Sequence, residues 1–137
     1  MYLLDTNVVS ELRKRRPHGG VLAWIESVPN EELHLSAVTL GELQAGVELT
    51  REQDPAKAAE IENWIDELAS TWNILTMDTV AFRVWAKLMA HRSDGLIGDA
   101  MIAATATVHH LTIATRNTRD FRDFRIPTID PFETPRR

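Results

Sequence analysis

The sequence predicts an α/β fold, a parallel sheet covered by helices on both faces. Two observations carry this expectation. Short apolar runs of strand length alternate with longer segments of helical periodicity, and strands separated by helices pack as a parallel sheet. Acids and turn residues come directly after the first and last of the clear apolar runs, on the sheet edge where such folds place their ligands, near a switch in strand order.

Leu3 and Leu4 form the first strand, followed by a helix over 6–13 and another over 20–28. Leu33-His34-Leu35-Ser36 is the second strand, and a helix over 38–49 comes next. The helix after it, 55–72, sets Ile61, Trp64, Ile65, Leu68 and Trp72 at the spacing of one buried face. A third strand spans 73–76, and a helix over 79–91 carries Val80, Val84, Trp85 and Leu88 on one side. An Ala-rich helix over 97–110 leads into a fourth strand, 111–114, and residues 128–130 form a short fifth strand at an edge. All four tryptophans read as core or interface packing.

The chain has 137 residues, 44% hydrophobic and 26% charged, which suits one domain over 1–137 with a real core. There are no repeats, low-complexity tracts or linkers. The absence of cysteine excludes disulfides, thiolate metal sites and cysteine nucleophiles. No apolar run reaches the ~20 residues that span a bilayer, and an acid at position 5 is wrong for a signal peptide. A cytoplasmic protein with no membrane contact is expected.

Net charge is −5, which argues against indiscriminate nucleic-acid binding. The bases are grouped, however: Arg13, Lys14, Arg15 and Arg16 in one block, Arg116, Arg119, Arg122 and Arg125 in another, and Arg136 and Arg137 at the end. Such blocks read as solvated surface unless they border a functional site.

Four acids stand where a folded chain aims side chains inward. Asp5 ends the first apolar run, Glu42 interrupts a helical stripe, Asp99 opens the Ala-rich helix, and Asp120 sits in the turn after the fourth strand. Asp5 can cap a helix, Asp99 suits a first helical turn, and Asn117 to Asp120 is an ordinary turn sequence. At about 100° per residue, Glu42 shares an arc with Val38, Ala45, Gly46 and Leu49, expected to be buried, with Gln44 and Glu48 on the solvent side. Asp99 shares a stripe with Ile102, Ala103 and Ala106. Acids on buried faces need a cation, and carboxylate oxygens suit Mg²⁺ or Mn²⁺.

The strings Leu3-Leu4-Asp5-Thr6-Asn7, Gly41-Glu42-Leu43, 99–106 and 115–121 resemble the PIN-domain ribonucleases. Within that family they are most similar to the VapC and FitB-type toxins of bacterial type II toxin–antitoxin pairs. The resemblance runs from Tyr2 to about Phe132, with all four acids in place. It implies a three-layer α/β/α domain with a central parallel sheet of four to five strands. It also implies an endoribonuclease dependent on Mg²⁺ or Mn²⁺. Its partners would be the RNA substrate, a second copy of the chain, and a small VapB/FitA-like antitoxin, with a larger assembly open and DNA met only through the antitoxin. By the same resemblance Asp5, Glu42, Asp99 and Asp120 form the acidic site, while Thr6, Asn7, Thr115 and Asn117 line and support it.

The expected reaction is hydrolysis of an RNA phosphodiester by water. Asp5 and Asp99 are the expected direct ligands. Glu42 either ligates or orients a water and shares general-base work, and Asp120 acts through water or at a second ion. Four carboxylates around one divalent ion leave negative charge that repels phosphate, so Arg116 and Arg119 are expected to offset it. Arg13, Lys14, Arg15 and Arg16 are expected to wall an RNA groove. Competing readings are a non-cleaving PIN-fold module that holds RNA or protein, and a DNA-directed nuclease. Position 7 is Asn where a dehalogenase-like phosphatase wants a second acid, the paired acids of a receiver domain are absent, and there is no Gly-rich phosphate loop. His18, His34, His91, His109 and His110 have no metal-binding spacing.

Overall fold

The computed structural model describes residues 1–133. Side chains alternate in direction along each strand, so the two faces of the sheet collect different partners. The strands are β1 (Tyr2–Leu4), β2 (Leu33–Ser36), β3 (Asn73–Leu75), β4 (Thr112–Ala114) and β5 (Thr128–Ile129). They form one five-stranded parallel sheet in the order β3-β2-β1-β4-β5. Leu3 pairs with His34 on one side and Ile113 on the other, and Leu4 with Leu35 and Ala114.

The helices are α1 (Thr6–Val9), α2 (Gly19–Ser27), α3 (Ala37–Gln53), α4 (Pro55–Thr71), α5 (Thr79–Met89), α6 (Ile97–His109) and α7 (Thr118–Arg122). Leu3 and Ile113 pack on one face with Ala100, Ile102, Ala103 and Ala106 of α6 and Phe121 of α7. Leu4, Leu35 and Ala114 pack on the other with Val8, Val9, Val21, Trp24 and Leu68. The result is a three-layer α/β/α architecture, as expected. Val47 of α3 meets Ala58 and Ile65 of α4 in a smaller cluster between these two helices.

The order of the strands fixes the place of the site. β2 and β3 lie to one side of β1, β4 and β5 to the other, so β1 and β4 border the switch point at which loops diverge and leave a crevice. The fifth strand is at the edge, as expected. Among the described residues, no helix is long and apolar enough to cross a membrane.

Several local expectations are corrected. The first helix is only Thr6–Val9, and the chain tightens into a 3-10 turn over Ser10–Arg13. α3 continues to Gln53 and ends where Asp54 caps α4 by accepting from the Lys57 amide. Most important, the buried face of α3 is not the one that carries Glu42. Thr39 and Val47 are buried, with Leu40 and Leu43 packed beside them, while Glu42, Ala45, Gly46 and Leu49 are not buried and Val38 is half-buried. α3 lies against both the sheet and α4, and that double contact selects the 39/40/43/47 arc. Gln44 donates to Glu62 of α4. Val80, expected on a buried face, is exposed. Trp24 is buried, and Trp64, Trp72 and Trp85 are half-buried, which suits packing roles. Arg136 and Arg137 lie outside the described residues.

Candidate active site

Asp5 is the first residue past β1. Its amide donates to the Ala114 carbonyl of β4 at 2.9 Å, and its own carbonyl accepts from Val8 and Val9, which starts α1. The side chain serves the cap as well, Oδ1 accepting from the Thr6 amide at 2.8 Å. Oδ2 accepts from the Thr115 hydroxyl at 2.8 Å and from Asn7 Nδ2 at 3.2 Å. Capping and site formation are therefore two uses of one carboxylate. Asp5 is only 5% exposed. Burial pushes its pKa up, the Thr115 and Thr6 bonds pull it down, nearby Asp120 raises it and Asn7 lowers it, with a net rise. Desolvation and the Asp120 charge together outweigh three hydrogen bonds here.

Thr115 occupies the same position past β4 and is fully buried. It gives its one hydroxyl proton to Asp5 and accepts from the Asn117 amide at 2.9 Å. Asn7 is the second tie across the crevice, because its Oδ1 accepts from the Arg116 amide at 3.2 Å. Asn117 acts through its backbone and precedes α7 as the capping residue.

Glu42 reaches the crevice from α3. Its Oε1 accepts from the Thr6 hydroxyl at 2.9 Å, and that hydroxyl also lies 3.1 Å from Thr39 Oγ1. A threonine has one proton to give, so Thr6 accepts from Thr39 when it donates to Glu42. Buried Thr39 is a site residue that sequence reasoning misses; its only signal in the chain is its place three residues before Glu42. The carboxylate of Glu42 rests against Gly98 of α6, where an added Cβ would stand 3.3 Å from Oε2. Glu42 is exposed as a residue, yet desolvation of that end raises its pKa, with the Thr6 bond opposing and the Asp5 charge adding.

Asp99 comes after Gly98 in the first turn of α6, on the stripe with buried Ile102, Ala103 and Ala106, as expected. Its pKa is pushed up to about 6, first by desolvation and then by the charges of Asp5, Asp120 and Glu42. Asp120 is exposed within α7 rather than in a turn, and its charge reaches both Asp5 and Asp99. The four acids therefore share one electrostatic neighbourhood.

That neighbourhood consists of hard oxygen donors, and none of the four acids is paired with Lys or Arg among the described residues. Its chemistry suits a small divalent cation. Among the described residues, however, no three His, Asp or Glu side chains stand close enough together to form a ligand cluster. The expected set is assembled in charge and not in closed coordination geometry.

Of the basic residues, Arg116 is tied to this edge by its amide, which donates to Asn7. Arg13, Lys14, Arg15 and Arg16 are exposed in the turn after α1. Lys14 pairs with Glu11. Arg116 lays its guanidinium over Phe132, 3.9 Å from the ring centre, and Arg119 is exposed in α7. A cleft of about 400 Å³ lies elsewhere, lined by Asn30, Glu31, Leu33, Thr71, Trp72 and Asn73, and includes none of the four acids.

Residues 2–127 match the PIN domain family. The chain belongs to the PIN-domain family. It is 39% identical to the VapC ribonuclease Y4jK of Sinorhizobium fredii, covering 97% of this chain and 99% of that one. It is 34% identical to Toxin FitB of Neisseria gonorrhoeae over 96% of this chain and 99% of the relative. The solved structure of FitAB bound to an IR36 DNA fragment superposes with a TM-score of 0.84 at 30% identity, covering 99% of both chains. By sequence and by fold, this PIN domain is closely related to the VapC and FitB-type toxins.

Proposed function

We propose that this PIN domain is a Mg²⁺- or Mn²⁺-dependent endoribonuclease of the cytoplasm, the toxin of a toxin–antitoxin pair. The observation that carries the reading is Asp99. It stands at a pKa of about 6 among three other acids, with no cationic side chain paired to any of them among the described residues. A structural domain gains nothing from that repulsion, whereas a metal-using hydrolase does.

Asp5 and Asp99 would hold the ion, with Glu42 and Asp120 beside it. A bound divalent cation supplies positive charge that stabilises the phosphate and the departing 3′ oxygen and makes adjacent water more acidic. The chain's own part is orientation and proton handling. Thr115 and Asn7 lock the Asp5 carboxylate. Thr6 aims Glu42, which takes the proton of the attacking water as the new P–O bond forms and the P–O3′ bond breaks, the departing 3′ oxygen taking a proton from solvent. Arg13, Lys14, Arg15, Arg16, Arg116 and Arg119 contact phosphate and make binding salt-sensitive.

Kinship with Toxin FitB and with FitAB supports a small antitoxin partner. A cleft of about 260 Å³ lined by Leu12, Arg13, Lys57, Glu60, Ile61 and Trp64 offers α4 as a seat for an amphipathic segment. A homodimer is part of the same reading, with exposed Leu49, Val80, Phe82 and Ile97 as candidate contact residues.

The test is cleavage of matched RNA and DNA with Mn²⁺, with and without EDTA, by wild type, Asp5→Asn and Asp99→Asn. RNA should be cut only with metal and only by wild type. A folded variant that cleaves at the wild-type rate sinks the reading. Preference for DNA would replace it by the DNA-nuclease alternative, and metal-independent RNA binding without cleavage by the binding-module one.

A further inference from the structure

Glu11 has no part in the proposed hydrolysis. Among the described residues it is the only buried ionisable side chain besides Asp5, 5% exposed in the 3-10 turn after α1. Its carboxylate is fully engaged. Oε2 pairs with the Lys14 ammonium, and Oε1 accepts from the His18 amide at 3.0 Å. Against the opposing effect of burial, the Lys14 bond holds the carboxyl below the usual range, with the His18 amide, the Lys14 charge and the Arg116 charge adding to the lowering.

Arg116 ties this group to the acid site. Its guanidinium stacks 3.9 Å over Phe132, whose ring meets the His18 ring edge-on at 5.1 Å. Its amide donates to Asn7, which donates in turn to Asp5. Glu11, His18, Phe132 and Arg116 thus close a circuit that ends at Asp5. The lowered pKa means that the fold favours the charged form of Glu11, and an apolar side chain in its place would leave Lys14 without its ion-pair partner.

We propose that Glu11 is a positioning residue. It fixes Lys14 and Arg116 as a cationic rim beside Asp5 that takes an RNA phosphate flanking the scissile bond. This rests on the ribonuclease reading. A free lysine or arginine loses rotamer freedom when it binds phosphate; Glu11 orders Lys14 in advance by direct pairing and draws on Arg116 by charge, while the Phe132 ring seats the guanidinium. Lys14 keeps over half of its side chain accessible, 56%, and remains open to a second anion. The opposite view treats Glu11 as a negative charge near the path of a polyanion, whose removal would improve RNA binding. The two views differ in sign.

The test is steady-state cleavage of an RNA oligonucleotide by wild type and Glu11→Gln with Mn²⁺. Glutamine keeps the volume and an acceptor for the His18 amide and removes the charge. KM should rise about fivefold, as expected for one or two side chains no longer pre-ordered, with kcat within twofold. Lys14→Met should raise KM similarly, and the double variant should be no worse than either single one. KM equal to or below wild type in Glu11→Gln overturns the proposal. Should that variant not fold, Lys14→Met and Arg116→Gln decide with Glu11 intact. Less than multiplicative effects support coupling through Glu11, and multiplicative effects overturn it. RNA cleavage by wild type with an unmoved KM removes only this inference. A wild type that neither binds nor cuts RNA removes the ribonuclease reading and this inference together.

Discussion

Asp5 accepts hydrogen bonds from the Thr6 amide, the Thr115 hydroxyl and Asn7, while burial tops the causes for Asp99 and no hydrogen bond offsets it. The first carboxylate is held by the fold; the second faces three like charges and, among the described residues, no paired cation. The contrast separates two tasks that a site of acids must combine. One ligand must be fixed in place so that geometry is set before anything binds. Another must remain unsatisfied, so that an arriving cation gains more than the protein itself supplies.

Charge removal is the strongest way to break this comparison. Asp5→Asn and Asp99→Asn should each lower RNA cleavage by about 10²-fold or more, measured as kcat/KM. Their stabilities should part in size. Asp99→Asn relieves repulsion that no hydrogen bond offsets and should raise the Tm of the metal-free protein. Asp5→Asn also relieves the burial of a charge but gives up carboxylate hydrogen bonds worth about 1–2 kcal/mol, so its Tm should fall below that of Asp99→Asn. A Tm for Asp5→Asn equal to or above that of Asp99→Asn would refute the division of tasks.

Thr115→Val keeps the shape and removes only the hydroxyl. Loss of the bond to Asp5 and of the acceptor for the Asn117 amide should reduce kcat/KM about tenfold. The accompanying loss of stability should be about 1–2 kcal/mol.

A pH titration sharpens the Asp99 side. Its folded pKa, about 6, lies above the 3.8 of the free group. The folded state therefore binds the proton more tightly, and stability from this group is present at low pH and is lost as pH rises from about 3.8 to about 6. Asp99 is partly open to water, so screening leaves about 1 kcal/mol. The difference in metal-free Tm between Asp99→Asn and wild type should widen over that window, and Mn²⁺ should narrow it above pH 6. A difference that is flat with pH would show that Asp99 is not the strained member.

The smallest effect is expected at Leu49. Because it lies on the exposed arc of α3, Leu49→Gln should change the stability of the isolated chain by no more than about 0.5 kcal/mol. Were it buried, as its apolar stripe suggests, the cost would be about 2 kcal/mol or more.

The edge of the sheet is legible in the chain because strand length and the residues just past each strand are local properties. Asp5 and Thr115 can be placed directly after strands with no knowledge of packing. Asp99 is legible because its helix is small and apolar nearly all the way round, so an acid in its first turn stands out. α3 has apolar residues on two arcs, Leu40, Leu43 and Val47 against Val38, Ala45 and Leu49, and only the position of α4 chooses between them. Asp120 lies in a five-residue helix, α7, too short for periodicity to mark. Glu11 stands among Arg13, Lys14, Arg15 and Arg16 and reads as one more surface charge. Its burial depends on Lys14 folding back and on His18 coming round to meet it.

The hydrogen bond between Thr115 and Asp5 joins positions 110 apart in the chain. Contacts at such separation form late, because the closure entropy of a long segment must be met before they reward it. Asp5 is added before the other acids of the site, and Thr115 only after all of them but Asp120. Until β4 pairs with β1, Asp5 lacks both its Thr115 donor and the Ala114 carbonyl for its amide. A growing or prematurely ended chain therefore carries its acids without a site to use them. The acid site is completed only when the full sheet has closed, so it cannot exist before the fold does.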